Sequence, residues 1–258
     1  MKHNDNSSRG SEMANDRLAV LIDADNAQAA CLPDLLSEVA RYGTATVKRA
    51  YGDWTTPNLK AWKETLHKHA VQPIQQFRYT QGKNATDSAL IIDAMDLLYT
   101  GHLHGFCLVS SDSDFTRLAT RLRESGSAVY GFGEKKTPEP FVAACDKFIY
   151  TEILRPQAAA TSEQGDDVSR ERTATPALGS ADGLQVSLRQ AIESSAKENG
   201  WAPMSTVGSM MQKIDPAFDA RNYGYSKFGV LVRAQSFTEV KELPTGDGST
   251  SVLYVRLR

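Results

Sequence analysis

The stretch LAVLIDADNAQ, residues 18–28, decides the fold class of the first part of the chain. Five apolar residues run directly into the acidic Asp23, which is typical of a buried parallel strand whose end lies at the edge of a sheet. The stretch FCLVSSDSDF, residues 106–115, repeats this pattern. Between and beyond the two stretches, short apolar runs alternate with amphipathic ones, as in strands joined by crossover helices. The sequence therefore predicts an α/β fold with a parallel sheet sandwiched by helices.

Individual elements follow from apolar periodicity and from helix-capping residues. We expect strands at 18–24, 44–51, 71–77, 106–110, 128–132 and 147–151, and helices at 33–42, 56–70, 86–99, 114–125 and 138–144. With the common doubly wound strand order 3-2-1-4-5, the first and fourth strands are neighbours, and ligands bind outside their carboxyl ends.

Composition bounds the class of protein and its domain organisation. The chain has 258 residues, 41% of them hydrophobic and 23% charged, which excludes whole-chain disorder. Residues 156–182 are rich in Ala, Ser, Thr, Gly, Pro and acids, so we predict a flexible linker between domains at 17–155 and 183–258, with a disordered tail at 1–16. The three cysteines lack metal-ligand spacing, and residues 1–16 lack the apolar middle of a secretion signal, so we expect a cytoplasmic protein.

Four carboxylates are expected to converge at the carboxyl edge of the sheet. Asp23 ends the first strand, Asp112 and Asp114 follow the fourth, and Asp87 begins the helix after the third. Crowded carboxylates repel one another unless a cation neutralises them, and oxygen ligands without Cys or His favour Mg²⁺ or Mn²⁺. Such a site suits phosphodiester hydrolysis. Three neighbouring polar residues are candidates for orienting water or phosphate: Asn26, Ser110 and Ser111.

Each of these acids also has an ordinary structural explanation. Aspartates at strand ends and helix starts commonly cap backbone amides, and the same holds for Asp25, Asp93 and Asp96. Because the net charge is only −2, polyanion binding would need local basic patches. The candidates in the first domain are Lys48, Arg49 and Lys83, which lie near the aromatic residues Tyr51, Trp54 and Tyr79.

The ordered combination of three motifs resembles the NYN domain, the LabA-like branch of the PIN-like nucleases. The motifs are LAVLIDADNAQ, GKNATDSALIIDAMDLL and LVSSDSDFTRLATRLRESGSAVYGFG, and together they cover about residues 17–155. The resemblance implies a metal-dependent ribonuclease with acidic ligands at Asp23, Asp87, Asp112 and Asp114, and together with the predicted site it leads us to expect an RNA endonuclease that uses Mg²⁺ or Mn²⁺. One departure is the stretch before Asp87, which reads Lys83-Asn84-Ala85-Thr86 where related sequences often carry glycine or small apolar residues.

The second domain has the pattern of three helices and a β-hairpin, which predicts a winged helix. We expect helices at 184–197, 205–214 and 225–235, and strands at 237–243 and 251–257. The segments RNYGYSKFGVLVRAQSFTEVKEL and VLYVRL resemble the OST-HTH, or LOTUS, domain, which binds RNA or protein partners. Because the third helix of such a unit usually reads nucleic acid, the candidate RNA contacts are Arg221, Tyr225, Lys227 and Arg233.

Two other functions remain compatible with the sequence. Asp23-Ala24-Asp25 after the first strand imitates the nucleophile pair of a haloacid-dehalogenase-like phosphatase, with Lys83 as an awkwardly placed lysine. The chain could also be a non-catalytic RNA-binding or regulatory adaptor whose acids merely cap helices. Aspartyl-phosphate trapping would identify the phosphatase, and RNA binding without turnover would identify the adaptor.

Overall fold

The computed structural model describes residues 16–77, 85–154, 181–244 and 251–258. The chain divides into two compact units, residues 1–155 and 156–258. The proposed tail and linker lie almost wholly outside the described residues, so the domain limits stay predictions. None of the helices in the described ranges has the length and apolar character required to cross a membrane.

The first unit is built on six parallel strands. They are β1 (Arg17–Asp23), β2 (Thr44–Gly52), β3 (Gln72–Gln75), β4 (Gly105–Val109), β5 (Ala128–Gly133) and β6 (Lys147–Tyr150). Their order is β3-β2-β1-β4-β5-β6, with every neighbouring pair parallel. The predicted order and the α/β class are therefore confirmed, and β1 and β4 are neighbours at the point where the order reverses.

Helices cover both faces of this sheet. They are α1 (Leu32–Val39), α2 (Trp62–Lys68), α3 (Ala85–Tyr99), α4 (Thr116–Glu124) and α5 (Glu139–Ala144). One core cluster joins Val20 and Ile22 of β1 to Leu35 of α1 and to Trp62 and Leu66 of α2. Helix α3 contacts β1 and β2, and α4 contacts β5. Because side chains alternate along a strand, Asp23 shares a face of β1 with neither Val20 nor Ile22.

Three predicted elements of this unit differ from the structure. The helix expected over 56–70 begins with a separate 3₁₀ turn, Pro57–Leu59, because Pro57 starts the turn and Asp53 holds Thr55 and Thr56 just before it. The helix expected from Asp114 likewise starts as a 3₁₀ turn, Ser113–Phe115. The third strand is shorter than 71–77, as befits an edge strand that contains Pro73.

Within residues 181–244 and 251–258, the second unit has three helices, a short 3₁₀ turn and a small antiparallel sheet. The elements are α6 (Ala181–Ser195), β7 (Ala202–Pro203), α7 (Met204–Ile214), a 3₁₀ turn (Ala220–Tyr223), α8 (Phe228–Arg233), β8 (Thr238–Pro244) and β9 (Ser251–Leu257). The strand order is β7-β9-β8. Buried Leu188, Val207, Leu231 and Val255 bring all three helices and the sheet into one core.

The third helix of this unit was predicted too long, at 225–235. Gly224 has a φ of 79° and ends the 3₁₀ turn, and Lys227 is extended before α8 begins. Tyr225 and Lys227 therefore precede the helix instead of lying along it. Strand β7, with two residues, was missed because its pairing depends on β9, which is distant in the sequence.

Candidate functional site

Three carboxylates meet at the carboxyl edge of the sheet. Asp87 lies in the first turn of α3, Asp112 follows β4, and Asp114 lies in the 3₁₀ turn before α4. One oxygen of each carboxylate lies within 4.8 Å of the others. Two oxygens that bind one Mg²⁺ at about 2.1 Å are at most about 4.2 Å apart, so small side-chain movements would bring the three to ligand spacing. Only carboxylates contribute to this group, which suits a hard cation.

Asp23 lies beside this group and is fully buried. Its Oδ2 accepts hydrogen bonds from Asn26 Nδ2 at 2.7 Å and from Ser110 Oγ at 2.8 Å. Its Oδ1 is also buried, and no described residue donates to it. Burial raises the pKa of Asp23, although the bonds from Asn26 and Ser110 oppose that effect. A buried carboxylate oxygen without a donor is costly, so a cation at this edge would satisfy it.

The pKa of Asp87 responds to the charges of all the neighbouring acids. Burial, followed by the charges of Asp23, Asp112, Asp114 and Asp25, raises the pKa of Asp87 to about 6. Burial and mutual repulsion together mean that the folded protein holds the ionised carboxylates at a cost in the absence of a counter-charge. The structure thus brings together the four acids predicted from sequence, three of them with oxygens within 4.8 Å of one another and Asp23 through its charge.

Backbone and hydroxyl groups hold the acids in place. Ser110 Oγ donates to Asp23 and accepts from the Asp112 amide at 3.1 Å, which ties the ends of β1 and β4 together. Asp112 Oδ1 in turn accepts from the Asp114 amide at 2.9 Å. Asp112 therefore does cap the following turn, and it also contributes one carboxylate oxygen to the cluster. Ser111 Oγ accepts from the Glu134 amide at 2.8 Å instead and serves the loop after β5.

A second network anchors α3, which carries Asp87. Asp93 accepts hydrogen bonds from Arg49 Nη1 and from the Tyr51 hydroxyl, both on β2. Burial and the Asp93 carboxylate raise the pKa of Tyr51, so it stays protonated as a donor. Asp93 lies six positions after Asp87, or about 9 Å along the helix axis. Arg49, predicted to bind RNA, is engaged here in positioning α3.

The other basic candidate residues have different surroundings. Lys48 Nζ donates to the His69 carbonyl at 2.6 Å. Lys83 lies outside the described residues. In the second unit, Arg221 forms a two-pronged ion pair with Asp219, at 2.9 and 2.7 Å.

Of the remaining predicted contacts in the second unit, Tyr225 packs against the core, whereas Lys227 and Arg233 are exposed. Sequence reasoning missed a cluster of cations over an aromatic ring on the small sheet. Lys241 Nζ lies 3.9 Å and Arg256 Cζ 4.7 Å from the centre of the Trp201 ring. The pairing of Lys241 with Tyr254 across β8 and β9, which no single segment reveals, builds this cluster.

Comparison with known families gives two matches. The model of the NYN domain matches residues 17–154, and that of the OST-HTH/LOTUS domain matches residues 181–250. The first match spans more than half of the chain and includes all four clustered acids. No curated protein sequence matches this chain.

Similar solved structures are partial matches. A protein of unknown function from Vibrio parahaemolyticus is 16% identical over 57% of this chain and 94% of its own, with a TM-score of 0.44. An uncharacterized protein from Nitrosomonas europaea is 27% identical over 40% of this chain and 92% of its own, with a TM-score of 0.27. A protein from Chromobacterium violaceum is 40% identical over 29% of this chain and 79% of its own, with a TM-score of 0.25.

Proposed function

Because the chain belongs to the NYN-domain family, we propose that it is a metal-dependent endoribonuclease whose carboxylate cluster is the active site. NYN domains are PIN-like nucleases, and the OST-HTH domain is an RNA-binding module. The observation that carries the proposal is the group formed by Asp87, Asp112 and Asp114, with ligand atoms within 4.8 Å of one another beside the unsatisfied Oδ1 of Asp23.

The proposed metal ion is Mg²⁺ or Mn²⁺, held by Asp87, Asp112 and Asp114, with Asp23 as a fourth ligand. When bound, such an ion activates water and neutralises the scissile phosphate. Every donor in the group is a carboxylate oxygen, which fits these ions better than zinc. Burial and then the charges of the neighbouring acids raise the pKa of Asp87 to about 6, and the counter-charge of a divalent cation would offset both effects.

The remaining residues of the site orient its ligands. Ser110 and Asn26 both donate to Oδ2 of Asp23, so its Oδ1 is the oxygen that points away from protein donors. The Asp114 amide occupies Oδ1 of Asp112 and thereby fixes the rotation of that carboxylate. These bonds hold the acids ready for an ion before it arrives, which reduces the cost of assembling the site.

The test is cleavage of end-labelled single-stranded and structured RNA by the full chain in Mg²⁺, Mn²⁺ or EDTA. We compare it with Asp112→Asn, which keeps the hydrogen-bond acceptor for the Asp114 amide but removes the charge. The matched control is Asp96→Asn, because Asp96 is an exposed acid of α3 outside the carboxylate group. We expect cleavage by the native protein and by the control in either metal, and none in EDTA or by Asp112→Asn.

Two results would contradict the proposal. Cleavage by Asp112→Asn at the native rate would place the reaction elsewhere. Intact RNA under every condition, with binding retained, would favour the adaptor function in which the acids only cap turns.

A further inference from the structure

A groove of about 860 Å³ lies beside the edge strand β3, between the loop after β2 and helix α2. Buried Leu59, Leu66 and Val71 form its apolar base. Trp54, which is partly exposed, also lines it. The groove is large enough for a planar aromatic ligand. Because its walls are both apolar and polar, it suits a ligand that has an apolar face and polar groups.

Its polar wall is basic. Lys63 and His67 are one helical turn apart on α2, and Lys60 closes the 3₁₀ turn before it, so the three exposed side chains lie along one side of the groove. None of the described residues that line the groove is acidic. This local charge contrasts with the near-neutral chain and is complementary to a polyanion.

Hydrogen bonds hold Trp54 in one orientation. Its indole Nε1 donates to the Ile74 carbonyl at 2.9 Å, and its amide donates to Gln75 Oε1 at 3.0 Å. Gln75 Nε2 in turn donates to buried Asp53 at 2.9 Å, which ties the loop after β2 to β3. A ring fixed in this way loses little freedom when a base stacks on it.

The groove continues toward the carboxylate cluster. A second cavity of about 380 Å³ shares Thr56 and Leu59 with it and extends to Ala24 and Asp25. Asp25 Oδ2 accepts a hydrogen bond from Thr86 Oγ1 at 3.1 Å, and Thr86 directly precedes Asp87, so this end of the second cavity is close to the cluster. A chain of nucleotides could therefore run from the carboxylates along the edge of the sheet.

We propose that this groove binds unpaired RNA nucleotides that flank the cleaved bond, with a base against Trp54 and phosphates at Lys60 and Lys63. The inference rests on the proposed nuclease function. Unpaired RNA fits better than a duplex because the faces of paired bases are covered and cannot stack on a protein ring.

The test measures binding of a short fluorescent oligouridylate to the full chain in EDTA, where cleavage does not interfere. Lys63→Glu reverses one charge in the groove. Lys68→Glu is the matched control, because Lys68 is an exposed lysine of α2 that does not line the groove. We expect Lys63→Glu to raise the Kd about fivefold and to reduce its dependence on salt by about one phosphate contact, with less than a twofold change for the control.

Photo-crosslinking locates the RNA within the two-unit chain. With 4-thiouridine in the oligonucleotide, we expect crosslinks on the tryptic peptide 50–60, which contains Trp54, and competition by unpaired RNA but not by a duplex. Equal effects of the two lysine variants, or crosslinks confined to residues 181–258, would overturn the inference and leave the groove to another occupant such as a protein segment.

Failure of the groove and failure of the nuclease are distinguishable. In Mg²⁺, the groove predicts that Lys63→Glu raises KM for RNA with little change in kcat. Cleavage with no difference between the lysine variants would contradict RNA binding in the groove and support the nuclease. RNA binding in the groove without any cleavage would support the groove and contradict the nuclease.

Discussion

Replacing Asp87 by Asn should stabilise the metal-free protein while it destroys the metal site. The pKa of Asp87 rises from an ordinary 3.8 to about 6 because of burial and the neighbouring carboxylates. At 1.36 kcal/mol per pKa unit, this difference corresponds to about 3 kcal/mol. Solvent screens the half-exposed carboxylate, and the start of α3 favours its charge, so we expect a net gain of about 1 kcal/mol for Asp87→Asn.

The sign of this effect sets its pH dependence. The folded protein binds the Asp87 proton more tightly than the unfolded chain does, so the penalty is absent well below pH 3.8 and complete above about pH 6. Asparagine is neutral throughout, and the advantage of the variant therefore falls to about a third of its full value near pH 4.5.

The assay is thermal unfolding in EDTA near pH 7.5 and pH 4.5, and again with Mn²⁺. In EDTA at the higher pH, we expect Asp87→Asn to melt about 3 °C above the native protein. Saturating Mn²⁺ should invert the order, because at a hundred times its Kd a ligand adds about 2.7 kcal/mol to the native protein alone. A variant that melts below the native protein in EDTA near pH 7.5 would show that the Asp87 charge does not destabilise the metal-free fold. Asp96→Asn is the control on the same helix.

Three further predictions concern the metal and the scaffold. The affinity for Mn²⁺, measured by calorimetry, should weaken about tenfold between pH 7 and pH 5 as Asp87 is protonated; a constant affinity would exclude this residue as a ligand. Asp93→Ala should cost about 2–3 kcal/mol in urea unfolding, because it leaves the mostly buried Arg49 without its partner; a cost below about 0.5 kcal/mol would contradict the anchoring role. Gly131→Ala should cost about 3 kcal/mol, since its Cβ would lie 2.4 Å from Phe148 Cδ2; an unchanged urea midpoint would show that the core relaxes freely.

The sheet could be predicted from sequence because buried parallel strands have a strong local signal. The apolar run before Asp23 and the one before Asp112 fix β1 and β4, and the doubly wound pattern makes them neighbours. The convergence of acids at one edge follows from that topology alone. Helix α3 begins at Ala85, one residue before the predicted start at 86, so the placement of Asp87 could also be predicted.

The side-chain contacts that could not be predicted join residues that are distant in the chain. Arg49 was expected to bind RNA because it is a basic residue near the site, but it forms an ion pair with Asp93, 44 residues later. Lys241 and Trp201 meet only because β8 and β7 both pair with β9. The spacing of Lys60, Lys63 and His67 indicates only that they share one side of a helix. The loop at Trp54 forms the opposite wall that makes a groove there.

The metal preference of Asp112→Cys in RNA cleavage tests whether Asp112 binds the catalytic ion. A thiolate binds softer ions than a carboxylate does, so replacing one ligand should shift the metal that supports cleavage. We predict that native protein cleaves RNA in Mg²⁺, whereas Asp112→Cys is inactive in Mg²⁺ and regains activity in Mn²⁺ or Cd²⁺. Cleavage by Asp112→Cys in Mg²⁺ at the native rate would contradict the assignment of Asp112 as a metal ligand.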